Sequence, residues 1–276
     1  MRSTVSRWPS TPACPRADVP GRAARKGANT PKPAARKASE PKPAARKPAG
    51  RKPAARKPGG RKPASRKQSA ARAIAHLSAS DPVLSALISA VGPLPDAREG
   101  RAVSDDHYGA LVRSIVGQQL SVHAASAIYG RLTARFEDRA PTPQEIMADD
   151  PEELRSVGLS RAKVGFLRSL AEHVLDGRLE LERFGELSEE EVIEELVAVK
   201  GLGVWTAHMF LMFHLERPDI LPVGDLGIRR AMERAYGMKE LPAPEAMEKI
   251  AEPWRPHRTL ACRYLWRSLQ NEPAQP

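Results

Sequence analysis

The sequence predicts an all-α domain behind a basic, low-complexity tail, on three observations. From Ile74 onward the chain breaks into apolar segments of helical length, most of them opened by Asp, Ser or Thr in an N-cap position. No alternating apolar and polar run of useful strand length occurs, and no Asn-Gly hairpin signal. Residues 21–72 repeat with a period of ten and hold almost nothing apolar to bury, so they are not a solenoid.

KPAARK stands at Lys32–Lys37, Lys42–Lys47 and Lys52–Lys57, and KPASRK follows at Lys62–Lys67. Recurring Pro favours extended spacing, and the charge opposes collapse. Residues 1–72 hold 21 Lys and Arg against Asp18 and Glu40, a net +19, so the remaining residues carry −8 of the chain's +11. The basic character therefore belongs to the tail, residues 1–73, and the helical domain, 74–276, is acidic. A flexible polycation binds phosphate backbone without reading sequence and releases it as salt rises. The competing reading is a merely solubilising extension. The tail resembles the Lys/Ala/Pro tails of linker-histone-like proteins.

Two cysteines, Cys14 and Cys262, form no disulfide framework and are too few for a four-cysteine iron–sulfur cluster. No stretch approaches 18 apolar residues free of charge, so nothing is expected to span a membrane. The N-terminus lacks the apolar core of a secretory signal. The expected location is cytoplasmic and nucleoid-associated in a bacterium, with an organelle or the nucleus left open. The seven histidines are scattered without paired spacing, and no metal catalysis is assigned to them.

Taken in order, Asp81-Pro82 opens the first helix of the domain as N-cap and N1, and Gly92-Pro93 stops it. Asp105 or Asp106 caps a helix from Tyr108 to Val116. Gly117 to Leu120 breaks the pattern, and Ser121 restarts it through Phe136. Thr142 and Asp150 cap two short helices, and Ser160 caps a longer one to Asp176. Glu189 to Val197 has an apolar side formed by Val192, Ile193, Leu196 and Val197. Helices follow at Trp205–Leu215, Leu226–Tyr236, Ala243–Glu252 and Thr259–Leu269. About ten helices over roughly 200 residues suffice for a real core.

The chemistry concentrates in Val199 to Asp225, VKGLGVWTAHMFLMFHLERPDILPVGD. Gly201 and Gly203 flank Leu202 just before an almost wholly apolar helix. Successive backbone N–H groups at such a turn form an anion site that needs no cationic side chain. Lys200 and the Thr206 hydroxyl add expected phosphate contacts. Pro218 and Pro222 keep the next loop non-helical, and Asp225 stands where the following helix begins. An Asp in that position is ordinarily an N-cap. Trp205 and Trp266 read on composition as core aromatics, and Met209 as filler.

The joint pattern of LGVWTA after the glycines and PVGD some twenty residues later resembles the helix-hairpin-helix DNA glycosylases, of the 3-methyladenine DNA glycosylase II type. That resemblance spans about Pro82 to Gln270. It implies an all-α fold of two helical lobes with the active-site cleft between them. It also implies that the hairpin grips a DNA phosphate, that Asp225 is the catalytic carboxylate, and that Trp205, Met209 and Trp266 line the base pocket. SIVGQQLS, Ser114 to Ser121, matches the family turn that enters the duplex. Gln118, Gln119 and Ser121 are then DNA contacts, with Gln119 at the plug position where related proteins carry Leu. Relatives that also cut the strand place a Lys where Trp205 stands, so a monofunctional glycosylase without lyase activity is expected.

The expected substrate is an alkylated purine of the 3-methyladenine or 7-methylguanine type in double-stranded DNA, handled by a monomer. No cofactor is required, with room for a monovalent cation at the hairpin backbone. The rival readings are a non-catalytic DNA-compacting protein and a bifunctional oxidised-base glycosylase.

Overall fold

The computed structural model describes residues 63–95 and 106–270, and the KPAARK repeats, Cys14 and the tail upstream of Pro63 lie outside them. Among the described residues there are twelve α-helices, two short 3-10 turns and no strand. Every helix expected from the sequence is present, with ends that differ by at most two residues. The additional helix is α1, Pro63–Ser80. It begins upstream of the expected boundary at Ile74, inside the last KPASRK repeat. Pro63 is the final proline before Asp81-Pro82, and an Ala-rich stretch without Pro or Gly is free to propagate helix. Ala73 and Leu77 from α1 are buried in the core, so α1 belongs to the folded part of the chain.

The helices pack in two groups. One holds both ends of the described chain: α1, α2 (Pro82–Val91), α10 (Leu226–Ala235), α11 (Pro244–Ala251) and α12 (Arg258–Ser268). The other is the middle of the chain: α3 (His107–Gly117), α4 (Val122–Arg135), α5 (Pro143–Ala148), α6 (Pro151–Ser156), α7 (Arg161–Leu175), α8 (Glu189–Val197) and α9 (Val204–Phe213). A continuous apolar core runs under both, from Leu77 and Leu84 through Ile115 and Leu167 to Phe210, Ile228 and Leu265. The loop after α9 is stitched to each group. Arg217 donates to the carbonyls of Phe184 and Leu187, while Arg258 pairs with Asp219 and the Ile220 amide donates to Thr259 Oγ1.

Helix starts are set by side-chain caps. Asp106, Ser121, Asp150 and Ser160 each accept from a first-turn amide, and Thr142 and Ser188 form full capping boxes with Glu145 and Glu191. Asp81 does more. Its Oδ1 accepts from the amides of Val83 and Leu84 at 2.9 and 3.0 Å, and its Oδ2 accepts from Tyr236 Oη at 2.5 Å and Trp254 Nε1 at 2.8 Å. One buried carboxylate thereby joins α2, α10 and the turn before α12. Burial pushes its carboxyl up, but hydrogen bonds from Tyr236, Trp254, Leu84 and Val83 outweigh that and hold it below the ordinary 3.8.

Replacing one carboxylate oxygen by an amide NH2 leaves two of these four donors without their acceptor and removes the charge that strengthened the other two bonds. Asp81→Asn should lower the unfolding free energy by about 2–3 kcal/mol at neutral pH in urea denaturation. Because the folded-state value is depressed, the stabilisation is present above about pH 4 and is lost as pH falls through it. The gap between wild type and Asp81→Asn should therefore close in acid.

Candidate active site

The α8–α9 pair and the glycine turn between them form a helical hairpin. The Leu202 amide donates to the Val199 carbonyl at 3.1 Å, and Leu202 itself is buried, anchoring the turn in the core. Gly201 has φ +91, and a Cβ there would overlap the Phe166 ring of α7. Glycine is thus required twice, by the left-handed backbone and by the close ring. Gly203 is the N-cap of α9 and brings no side chain to its first turn. The opening N–H groups of that helix have no partner within it, so they present the positive end of the helix dipole at an exposed turn. Lys200 is exposed beside them. Thr206, whose hydroxyl is expected on phosphate, follows in the first turn of α9 and is 5% exposed.

The turn from Gly117 to Ser121 is fastened to this hairpin. Gln118 Nε2 donates to the Gly201 carbonyl at 2.8 Å. Lys163 Nζ donates to the Val116 carbonyl at 2.7 Å, occupying the C-terminal end of α3, and burial pulls its ammonium down. Ser121 Oγ caps α4 by accepting from the Ala124 amide at 3.3 Å. The side chains of Gln118 and Ser121, expected on DNA, thus have partners inside the protein. Gln119 remains exposed at the tip with φ 58, followed by the exposed side chains of Leu120 and Val122.

Asp225 is the N-cap of α10, as the plain reading of its position required, with Oδ1 accepting from the Ile228 amide at 2.8 Å. It has a second set of partners as well. Trp205 Nε1 donates to Oδ2 at 2.7 Å and Trp266 Nε1 donates to Oδ1 at 2.9 Å. Three N–H donors from α9, α10 and α12 therefore converge on one carboxylate. The bond from Trp205 crosses between the two helix groups.

Asp225 is 9% exposed, whereas the Trp205 beside it is 50% exposed, so the acid is screened by an indole that faces outward. The Trp266 ring stacks on Phe213, with centroids 5.9 Å apart and 26° between planes. Trp205, Met209 and Phe213 follow at i, i+4 and i+8 along α9, with Met209 half-buried against the core. A cavity of about 620 Å³ lies elsewhere, between α2, α10 and α12.

Three neighbours of this site were missed by sequence reasoning. Phe213 supports Trp266, Phe166 sits under Gly201, and Gly227 lies against both Asp225 and Trp266. The α9 spacing and the second glycine of GDLG are the signals that could have found two of them; Phe166 is visible only in three dimensions. Cys262 is fully buried, and burial pushes its thiol up, which removes it from any nucleophilic role.

Residues 112–256 match the family described as HhH-GPD superfamily base excision DNA repair protein. The match takes in the Gln119 turn, the hairpin, Trp205 and Asp225, and ends before Trp266. The chain is 36% identical over 203 residues to DNA-3-methyladenine glycosylase 1 of Schizosaccharomyces pombe, covering 72% of this chain and 88% of that one. It is 29% identical over 188 residues to DNA-3-methyladenine glycosylase 2 of Escherichia coli, covering 64% of each.

Among solved structures, the S. pombe 3-methyladenine DNA glycosylase in complex with abasic DNA superposes with a TM-score of 0.63 at 35% identity, covering 71% of this chain and 95% of that one. A DNA-3-methyladenine glycosidase from Bacillus halodurans gives 0.63 at 36% identity, covering 72% and 89%. This chain belongs to the helix-hairpin-helix superfamily of base-excision DNA repair proteins.

Gly201→Ala should impose both a strained φ and a clash with Phe166. The expected cost is about 2 kcal/mol or more in chemical denaturation. Affinity for undamaged duplex, read by fluorescence anisotropy, should fall with it because the anion-binding turn is displaced.

Proposed function

We propose that this protein is a monofunctional DNA glycosylase that flips an alkylated purine out of duplex DNA and hydrolyses its N-glycosidic bond. The observation that carries the proposal is the Asp225 carboxylate held between the indole N–H groups of Trp205 and Trp266. Cleaving the bond builds oxocarbenium-like charge on the sugar, which a fixed carboxylate nearby stabilises. Purines alkylated at N3 or N7 already bear positive charge, so they leave without a dedicated acid. An aromatic face attracts such a cation by about 0.5–2 kcal/mol. Both tryptophans commit their only polar atom to Asp225, which leaves the rings of Trp205 and the face of Trp266 away from Phe213 for the base. Water then adds at C1′. The S. pombe and E. coli relatives, named as DNA-3-methyladenine glycosylases, support this substrate class.

DNA engagement follows from the same parts. The hairpin amides and Lys200 take a backbone phosphate, and Gln119 with Leu120 enters the stack as the base leaves. Extrusion costs a few kcal/mol, less for a weakly paired damaged base, which adds selectivity. The partner is double-stranded DNA, bound by a monomer. No cofactor is needed for a hydrolysis driven by one carboxylate. The absence of lyase activity is supported by Trp205, which stands where strand-cutting relatives carry Lys.

Asp225→Asn should reduce release of free 3-methyladenine and 7-methylguanine from methylated duplex, read by chromatography, by about 10³-fold. Its affinity for the duplex should stay within a factor of a few of wild type. Full release by the variant would remove Asp225 from the chemistry. Borohydride added during turnover should trap no protein–DNA adduct, and a trapped band would mean Schiff-base chemistry. Deleting residues 1–62, which spares α1, should weaken binding and flatten its dependence on salt. An unchanged slope would deny the tail its role as the electrostatic anchor.

A further inference from the structure

We infer that Gly227 is a positioning residue of this site: its missing side chain lets the Trp266 indole press against the first turn of α10 and reach Asp225. A Cβ built on Gly227 would lie 3.0 Å from Asp225 Oδ1 and 3.1 Å from both Cδ1 and Nε1 of Trp266. Ordinary carbon contacts fall at about 3.5–4.0 Å, so one methyl group would be too close to three atoms at once. The backbone does not ask for glycine here. Gly227 is the second residue of α10 and lacks the left-handed φ that Gly201 has. In a helix alanine is the favoured residue. What glycine provides at this position is space, and the space is filled by the edge of Trp266.

The indole has little freedom to retreat, because its ring stacks on Phe213. A displacement must therefore be taken up at the 2.9 Å bond to Asp225 Oδ1, the same oxygen that receives the Ile228 amide. Gly227 thus sets both the distance from the acid to one pocket wall and the orientation of the acid. This inference deepens the glycosylase proposal and rests on it for its catalytic consequence, while its steric content can be tested without any activity.

The test is Gly227→Ala, alone and combined with Trp266→Phe, whose smaller ring keeps the Phe213 contact and drops the N–H. In the wild-type background, single-turnover release of 7-methylguanine from dimethyl-sulfate-treated duplex should fall about tenfold, since sub-ångström misplacement at a reacting centre is costly. Affinity for the duplex and the thermal midpoint should not fall. In the Trp266→Phe background, where only the approach to Asp225 Oδ1 remains, the same change should cost clearly less, a non-additivity that identifies the indole as the main group displaced.

Near-UV circular dichroism gives the arm independent of activity. Gly227→Ala should alter the indole bands of the wild type and leave those of Trp266→Phe unchanged. An unaltered wild-type spectrum overturns the inference, as does an equal loss of rate in both backgrounds. A wild type that releases no methylated base, together with the expected spectral change, overturns the proposed function and upholds the steric role of Gly227.

Discussion

The two halves of the helical domain meet at the carboxylate of Asp225. It receives N–H groups from α9, α10 and α12, and the bond from Trp205 is the one that joins the middle of the chain to its ends. A carboxylate loses a great deal of hydration on entering a site this enclosed, and hydrogen bonds from the protein replace it. The same three bonds that recover that loss also aim the acid. Helix capping, joining of the helix groups and orientation of the carboxylate are here one set of contacts. Asp81 offers the comparison: it gathers four donors from α2, Tyr236 and Trp254, and holds its own helix group together without an exposed aromatic beside it.

Charge is divided along the chain in a way that suits binding to a polyanion. The part after residue 72 is net negative, and the tail is strongly positive. An acidic body can approach a phosphate only through local groups. The hairpin supplies such a group in backbone amides, which act at contact distance and add nothing to the net charge. In the proposed function long-range attraction falls to the tail, whose effect would be screened by salt. That proposal assigns range and registration to different segments, one without regular apolar content and one built on a buried leucine, Leu202, and a ring, Phe166, packed against a glycine.

Much of the fold was legible in the chain. Asp81-Pro82, Ser121, Thr142, Asp150 and Ser160 all open helices in the structure, because an N-cap is a local interaction within three residues. The start of α1 was not legible by the same means. The boundary at Ile74 was drawn where apolar residues begin, and helix propagation depends instead on where proline ends. At the site, Trp205, Asp225 and Trp266 were singled out and the structure brings them together. Gln118 and Ser121, expected on DNA, also have partners within the protein, the Gly201 carbonyl and the Ala124 amide, which no local pattern announces.

The sequence by itself determined the helical class, the order and most of the ends of the helices, the separation of charge, and which residue types are available to the proposed site. These depend on periodicity, caps and residue type, all of which act over a few positions. The tertiary structure alone decided that both indole N–H groups end on one carboxylate, that Phe213 backs Trp266, that Gln118 ties one turn to another, and that Gly227 must lack a side chain. Each of those is a contact between residues distant along the chain or between neighbouring side chains whose directions the packing chooses. Such contacts are fixed by how helices settle against one another in a close-packed core, where one methyl group is enough to exclude a neighbour.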